Sequence, residues 1–351
     1  MESFDILIRQ AAELRASDLH LSVNVPPTIR VDGNLVPLNH RLCTEKDIEE
    51  VAYGVMDKRM QQIYEEKGEV DFAYGIPDLG RFRLNVYRQK GYCTLAARLL
   101  SDVIPQPEEL GVPQALVDMC HRKSGLVLVT GPTGSGKSTT LASLIDVINQ
   151  TYPYHVITME DPIEYVHHHN KCIVNQREMG LDSKNYETAL RSALREDPDV
   201  LLVGEMRDLE TISAAVTAAE TGHLVFSTLH TIGAVNTIDR IIDVFPPYQQ
   251  SQIRTQLADV LQCVVTQRLV PRIGGEGRVN ISEVMVVNSA ISNQIREGKT
   301  FQIASTMQTN RSVGMITMDD ALYNAYKNLE IDRETALAYA MDPVTLSKKL
   351  Y

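Results

Sequence analysis

The sequence predicts an α/β chain in two parts: a small α+β unit, then a larger unit built on a mostly parallel sheet. Three observations carry that prediction. Residues 1–103 mix helical spacing with short runs that alternate apolar and polar side chains, as half-buried strands do. Residues 104–113, IPQPEELGVP, hold three prolines and read as a linker. From 114 to 351, short and fully apolar runs alternate with helical segments, the pattern of parallel strands covered on both faces by crossover helices. A chain of 351 residues is long enough for two such cores.

In chain order, FDILIRQAAELR (4–15) has helical spacing at Phe4, Leu7, Ile8, Ala11 and Ala12. DLHLSV and TIRVDGNLVPL alternate as strands around turns at Pro26-Pro27 and Asp32-Gly33. A helical stretch over 44–67 follows, and then VDFAYGI, GRFRLNVYRQKG and CTLAARLL read as three more strands of a largely antiparallel sheet. Beyond the linker come strand GLVLVT, a helix over 137–150, strand HVITME, a helix near 184–195, strand DVLLVGE, a helix over 208–220 and strand HLVFSTLH. A helical tail closes the chain. It includes 247–264, with Ile253, Leu257, Val260, Leu261 and Val264 on one face.

Composition narrows the function. A net charge of −11 argues against a broad nucleic-acid surface. The five cysteines, Cys43, Cys93, Cys120, Cys172 and Cys263, form no CxxC pair, which suits a reducing compartment and excludes the common zinc spacings. No apolar run approaches the ~18 residues of a membrane span. The expectation is a cytoplasmic protein, without direct membrane insertion, that reaches any membrane through a partner.

Gly131-Pro132-Thr133-Gly134-Ser135-Gly136-Lys137-Ser138 matches G-x-x-x-x-G-K-[ST] between a predicted strand and a predicted helix. Glycines let backbone N–H groups approach phosphates, Lys137 reaches the β/γ-phosphates, and the Ser138 hydroxyl sits on Mg²⁺. The binding segment runs from Thr133 through Thr139, at a helix end that favours anions. The expected ligand is therefore a nucleotide with Mg²⁺. PDVLLVGEMRD (198–208) ends an apolar strand in Glu205, placed to meet the metal or polarise water. ITMEDPIEY (157–165) carries Glu160, Asp161 and Glu164 around another strand end, with Pro162 enforcing an extended backbone. TGHLVFSTLHT (221–231) brackets a buried strand with His223 and His230, and His230 stands at the C-terminal end, where open α/β sheets bind ligands. His167-His168-His169 point in alternate directions on an extended segment and read as surface. Arg81 and Arg83 share one strand face, which is either a solvated face or the source of an arginine finger for a neighbouring subunit.

These motifs, in this order and spacing, resemble the secretion ATPase superfamily that powers type II secretion and type IV pili, where they are named Walker A, Asp box, Walker B and His box. The likeness covers nearly the whole chain. ASDLHLSVNVPPTIRVDGNL (16–35) is similar to the family's opening strands, and LGRFRLNVYRQKG to its arginine-bearing strand. AISNQIRE (290–297) resembles the AIRNLIRE motif of its retraction branch, with Ser292 for Arg and Gln294 for Leu, and STMQTNRSVGMITMDDAL (305–322) continues the likeness. The extension ATPases carry a tetracysteine zinc motif after the His box; here Cys263 stands alone, within the helix expected over 247–264.

The resemblance implies a PAS-like domain over 1–103 and a RecA-like ATPase domain over 114–351. It implies a homohexamer in which hydrolysis drives closure of one domain on the other, turning an inner-membrane platform protein at the pilus base and retracting the pilus. It further implies Glu205 as base, Glu164 supporting Mg²⁺ or water, and His230 reading the γ-phosphate. An accessory retraction paralogue is the near alternative, and such a paralogue is also an expected partner. Two readings outside the family, a RecA-like nucleic-acid motor and a nucleotide-switched interaction protein, compete. The first conflicts with the charge and with the lack of aromatic-plus-basic stretches for stacking bases. The second conflicts with the complete set Lys137, Ser138, Glu164, Glu205 and His230.

Overall fold

The computed structural model describes residues 3–31, 34–100, 103–275 and 277–350; the expected turn at Asp32-Gly33 lies outside them. The chain divides into two compact units, Met1–Val103 with Pro162–Val166, and Ile104–Asp161 with His167–Tyr351.

In the first unit, α1 (Phe4–Glu13) buries Phe4, Leu7, Ile8 and Ala11 on one face, as the spacing requires. Strands β1 (Asp18–Leu21), β2 (Thr28–Val31) and β3 (Asn34–Pro37) follow. The stretch expected as one helix is two, α2 (Glu45–Val55) and α3 (Lys58–Lys67). The cause is local: Met56 and Asp57 are extended, and the Asp57 side chain accepts the Met60 N–H at 2.8 Å, starting a new helix. Thr44 and Asp47 close a reciprocal cap on α2, and Arg41 grips the same carboxylate at 2.7 Å. Strands β4 (Glu69–Ile76), β5 (Gly80–Gln89) and β6 (Tyr92–Leu99) complete a six-stranded sheet, order β3-β2-β1-β6-β5-β4, with every pairing antiparallel. On β5, Phe82, Leu84 and Val86 enter the core, so Arg81 and Arg83 take the opposite face.

The second unit opens with α4 (Gln114–Val117), β7 (Gly125–Thr130), α5 (Lys137–Thr151), β8 (His155–Glu160), β9 (Ile173–Glu178) and α6 (Tyr186–Ala193). It continues with β10 (Val200–Val203), α7 (Leu209–Glu220), β11 (Leu224–Leu229), α8 (Ala234–Asp243), α9 (Gln250–Val260), β12 (Leu261–Pro271) and β13 (Arg278–Val286). Helices α10 (Ser289–Arg296), α11 (Ile303–Thr309), α12 (Met318–Lys327), α13 (Arg333–Tyr339) and α14 (Pro343–Ser347) end it. Seven strands form one sheet in the order β13-β12-β7-β11-β10-β8-β9, parallel except for β13. Successive residues of β7 feed opposite cores: Leu126 and Leu128 join one cluster, Val127 and Val129 the other. Both faces are therefore covered, which is why these strands read as continuous apolar runs.

Two expectations fail here. The helix expected over 247–264 ends at Val260, and residues 261–264 begin β12, between β7 and β13. Leu261 and Val264 are buried as the helical spacing suggested, but by sheet neighbours; the β-branched run Val264-Val265-Thr266 favours the extended form. Cys263 is accordingly a buried strand residue. The edge strand β9, IVNQRE, was not expected at all, because four of its six residues are polar.

Candidate active site

The phosphate loop begins where β7 stops. Gly131 has φ 138°, and a Cβ there would lie 2.3 Å from the Gln267 carbonyl oxygen, so no side chain fits between the loop and β12. Gly136 caps α5 without a side chain, leaving first-turn N–H groups of that helix open to an anion. The Lys137 ammonium is buried and donates to the carbonyls of Gly131 at 2.9 Å and Pro132 at 3.0 Å. The Ser135 hydroxyl is buried with no hydrogen-bond partner among the described residues. Thr133, Gly134 and Ser138 are exposed, while Gly136 and Thr139 are half-buried. A lysine folded on its own loop, an orphan hydroxyl and a bare helix end together fit a triphosphate. Residues of β12 brace the loop: the Thr266 and Thr130 hydroxyls meet at 2.8 Å, and the Gln267 amide donates to Thr140 at 2.9 Å. Sequence reasoning missed these braces, because it placed 261–264 in a helix and assigned no element to the residues after it.

Three strand ends are stitched beside the loop. Gly131 N–H donates to the Leu229 carbonyl at 3.3 Å, Met206 N–H to Thr228 at 3.1 Å, and Gly204 N–H to Met159 at 2.8 Å. That stitching brings together two residues the sequence placed separately. His230 Nε2 lies 3.2 Å from Glu205 Oε1, and Arg207 Nη2 lies 2.7 Å from Glu205 Oε2. Burial works to raise the Glu205 carboxyl, but the Arg207 hydrogen bond and the charges of His230 and Arg207 outweigh it and hold it below the ordinary carboxylate value. Arg207 went unremarked in the sequence, although it stands two residues beyond Glu205, the spacing that puts side chains on one face of an extended chain.

Other candidates lie elsewhere. His223, at the opposite end of β11, is bound to the Ala218 carbonyl at 2.9 Å and the Thr221 hydroxyl at 3.2 Å, a structural role. Glu160 accepts from Thr158 at 2.6 Å and Gln176 at 3.1 Å. Glu164 falls in Pro162–Val166 and groups with the first unit, as do Arg81 and Arg83. Arg83 pairs with Asp71 across β4 and β5. The histidine run is not all surface: His168 and His169 are exposed, but His167 is buried, its backbone N–H fixed by Gln176 at 2.8 Å. Among the described residues, no group of three or more His, Cys, Asp or Glu is arranged to hold a metal ion.

The model of the Type II/IV secretion system protein family matches residues 109–324. The chain is 47% identical to the type IV pilus retraction ATPase PilT of Pseudomonas aeruginosa, over 96% of this chain and 98% of that protein. It is 39% identical to the type IV pilus ATPase PilU of the same organism, over 96% of this chain and 88% of the relative. The crystal structure of the pilus retraction motor PilT with bound ADP superposes with a TM-score of 0.93 at 51% identity, covering 99% of this chain and 100% of that one. Agreement over both units, and not the nucleotide loop alone, decides the assignment: the chain belongs to the Type II/IV secretion system protein family.

Proposed function

We propose that this chain is the ATPase motor of type IV pilus retraction, working as a homohexamer at the cytoplasmic face of the inner membrane. The observation that carries this reading is the meeting of the Lys137 loop with the Glu205–His230 pair at adjacent strand ends, in a chain alike over 96% of its length to a retraction ATPase. The accessory-paralogue reading has the weaker likeness.

ATP enters with its phosphates on Thr133–Thr139. Lys137 then exchanges the Gly131 and Pro132 carbonyls for phosphate oxygens, a charged partner for two neutral ones. Glu205, kept ionised, orients and deprotonates the attacking water once His230 or Arg207 releases one of its oxygens. His230 thereby reads whether a γ-phosphate is in place. Ser138 would hold Mg²⁺, which when bound would neutralise phosphate charge. Arg81 or Arg83 completes a neighbouring subunit's site. The platform protein of the inner membrane receives the motion, and a paralogous retraction ATPase is a further partner. Lys137→Ala tests the reading: hydrolysis falls by about 10²–10³ or more, and near-normal turnover overturns the site.

A further inference from the structure

Glu283 lies on β13, outside every motif named above, and is 8% exposed. Its carboxylate joins two helices. Oε1 accepts the N–H of Ala234, the first residue of α8, at 2.7 Å, and Oε2 accepts the N–H of Met318, the first residue of α12, at 3.1 Å. Each bond satisfies a terminal donor that a helix cannot satisfy itself, and the two N–H groups oppose the burial that pushes the Glu283 carboxyl above its ordinary value.

The two helices differ in what they carry. α8 starts just after His230, through Thr231, Ile232 and Gly233, and that connection is tied down by the Thr231–Thr237 hydroxyl pair at 2.7 Å and by Thr237 donating to Gly233 at 2.8 Å. A Cβ on Gly233 would lie 3.8 Å from Glu283 Oε1, so the connection passes directly over the carboxylate. α12 anchors the C-terminal helices. The Asp319 carboxylate accepts the N–H groups of Met341 and Asp342 at 2.6 and 2.9 Å, and Asp320 pairs with Arg311 and Lys349. Met318, Leu322, Ala336 and Leu346 share one core with Val270 and Ile281 of the sheet. Beside the joint lies a cavity of about 330 Å³, lined by Gly233, Ala234, Met318, Asp319, Met341 and Asp342 among others. Either helix start has room to shift.

We infer that Glu283 is a positioning residue that holds the connection after His230 in register with residues 318–350, so that the state of the nucleotide site is passed to the C-terminal helices. A carboxylate is needed because both oxygens must accept; an amide in its place turns N–H against N–H on one side. The inference rests on the proposed nucleotide site, and its test separates the two.

Hydrogen exchange of the full-length protein is compared with and without Mg²⁺ and a non-hydrolysable ATP analogue. In the wild type, protection rises in 131–139 and changes in 318–350. Glu283→Gln keeps the first response and loses the second, with kcat down about tenfold and KM for ATP within about twofold. Ala234→Pro removes one donor at a first-turn position that tolerates proline, and reproduces the uncoupling should the Gln variant fold poorly. No response at 131–139 in the wild type overturns the nucleotide site itself. A response there with none at 318–350, or an unaltered response at 318–350 in both variants, overturns the role of Glu283.

Discussion

His167 gives the chain a dependence on pH whose size follows from its surroundings. Burial drives its imidazole down to about 4 from an ordinary 6.5; the Asp146 charge opposes the shift and His168 adds to it. Nδ1 has no hydrogen-bond partner among the described residues, so no hydrogen bond at that nitrogen adds to the Asp146 charge in stabilising the protonated ring. Between these two values the unfolded chain binds a proton that the folded chain refuses. Stability is therefore highest above about 6.5 and falls as the pH drops toward about 4. The full extent is about 3 kcal/mol at about 1.4 kcal/mol per pH unit, of which roughly 2 kcal/mol is lost between pH 7 and pH 5.

The same segment is fastened to α5, the helix that opens at the phosphate loop: Asn149 donates to the His168 carbonyl at 2.7 Å and accepts from Asn170 and Cys172 at 3.2 and 3.3 Å. Expelling His167 loosens the far end of that helix. The measurement is urea unfolding of nucleotide-free protein at pH 7 and pH 5, followed by circular dichroism, for the wild type and for His167→Leu. Comparing the two proteins removes the other titrating groups, and the wild type should lose about 2 kcal/mol more than the variant. Parallel losses, within about 0.5 kcal/mol, refute a buried neutral histidine.

Glu205→Gln should bind ATP and hydrolyse it at least about 10²-fold more slowly, since the amide cannot take a proton; an active Glu205→Gln beside a dead Glu164→Gln reverses their roles. Mixing Arg81→Ala or Arg83→Ala subunits with Lys137→Ala subunits should restore part of the ATPase activity through intact interfaces, and mixtures no better than either parent place the arginines in cis or on a plain surface. Replacing Asn293, Arg296 and Glu297 of the α10 segment together should spare the ATPase and abolish twitching, because these side chains are exposed and the Arg296–Asp259 pair at 2.7 Å is a surface bridge worth under about 1 kcal/mol. Normal twitching in a well-expressed triple variant makes this helix structural.

What was legible in the sequence had short-range causes. The phosphate loop declares itself because its glycines, lysine and serine are contiguous and sit between a strand and a helix. In AISNQIRE (290–297) helical spacing puts Ala290, Ile291 and Ile295 on one face; Ile291 and Ile295 are fully buried, but Ala290 is exposed. The N-cap Asn288, accepting the Ile291 N–H at 3.0 Å, starts the helix so that Ala290 falls in its first turn, off the packed face. At 261–264 the failure was larger. Helical spacing and strand burial selected the same leucine and valine, and only pairing with β7 and β13, remote in sequence, decided between them.

The site follows the same division. Glu205 and His230 were legible one at a time, each as a polar residue at the end of an apolar run, but their contact depends on the order β7-β11-β10 in the sheet. Because β10 lies next to β11, the two strand ends deliver their side chains to one place; had β10 lain beyond β8, Glu205 would stand two strands from His230. Glu283 is less legible still. In the sequence it is one carboxylate in a mostly apolar strand, a position that reads as a fault in the pattern. Its partners are the N–H groups of Ala234 and Met318, which carry no side-chain signature, so only the backbone makes the carboxyl intelligible. A carboxyl in a strand core that no motif explains is therefore an argument for two helix ends meeting there. Removing one acceptor from that joint is how the dependence of the C-terminal helices on the nucleotide site is tested.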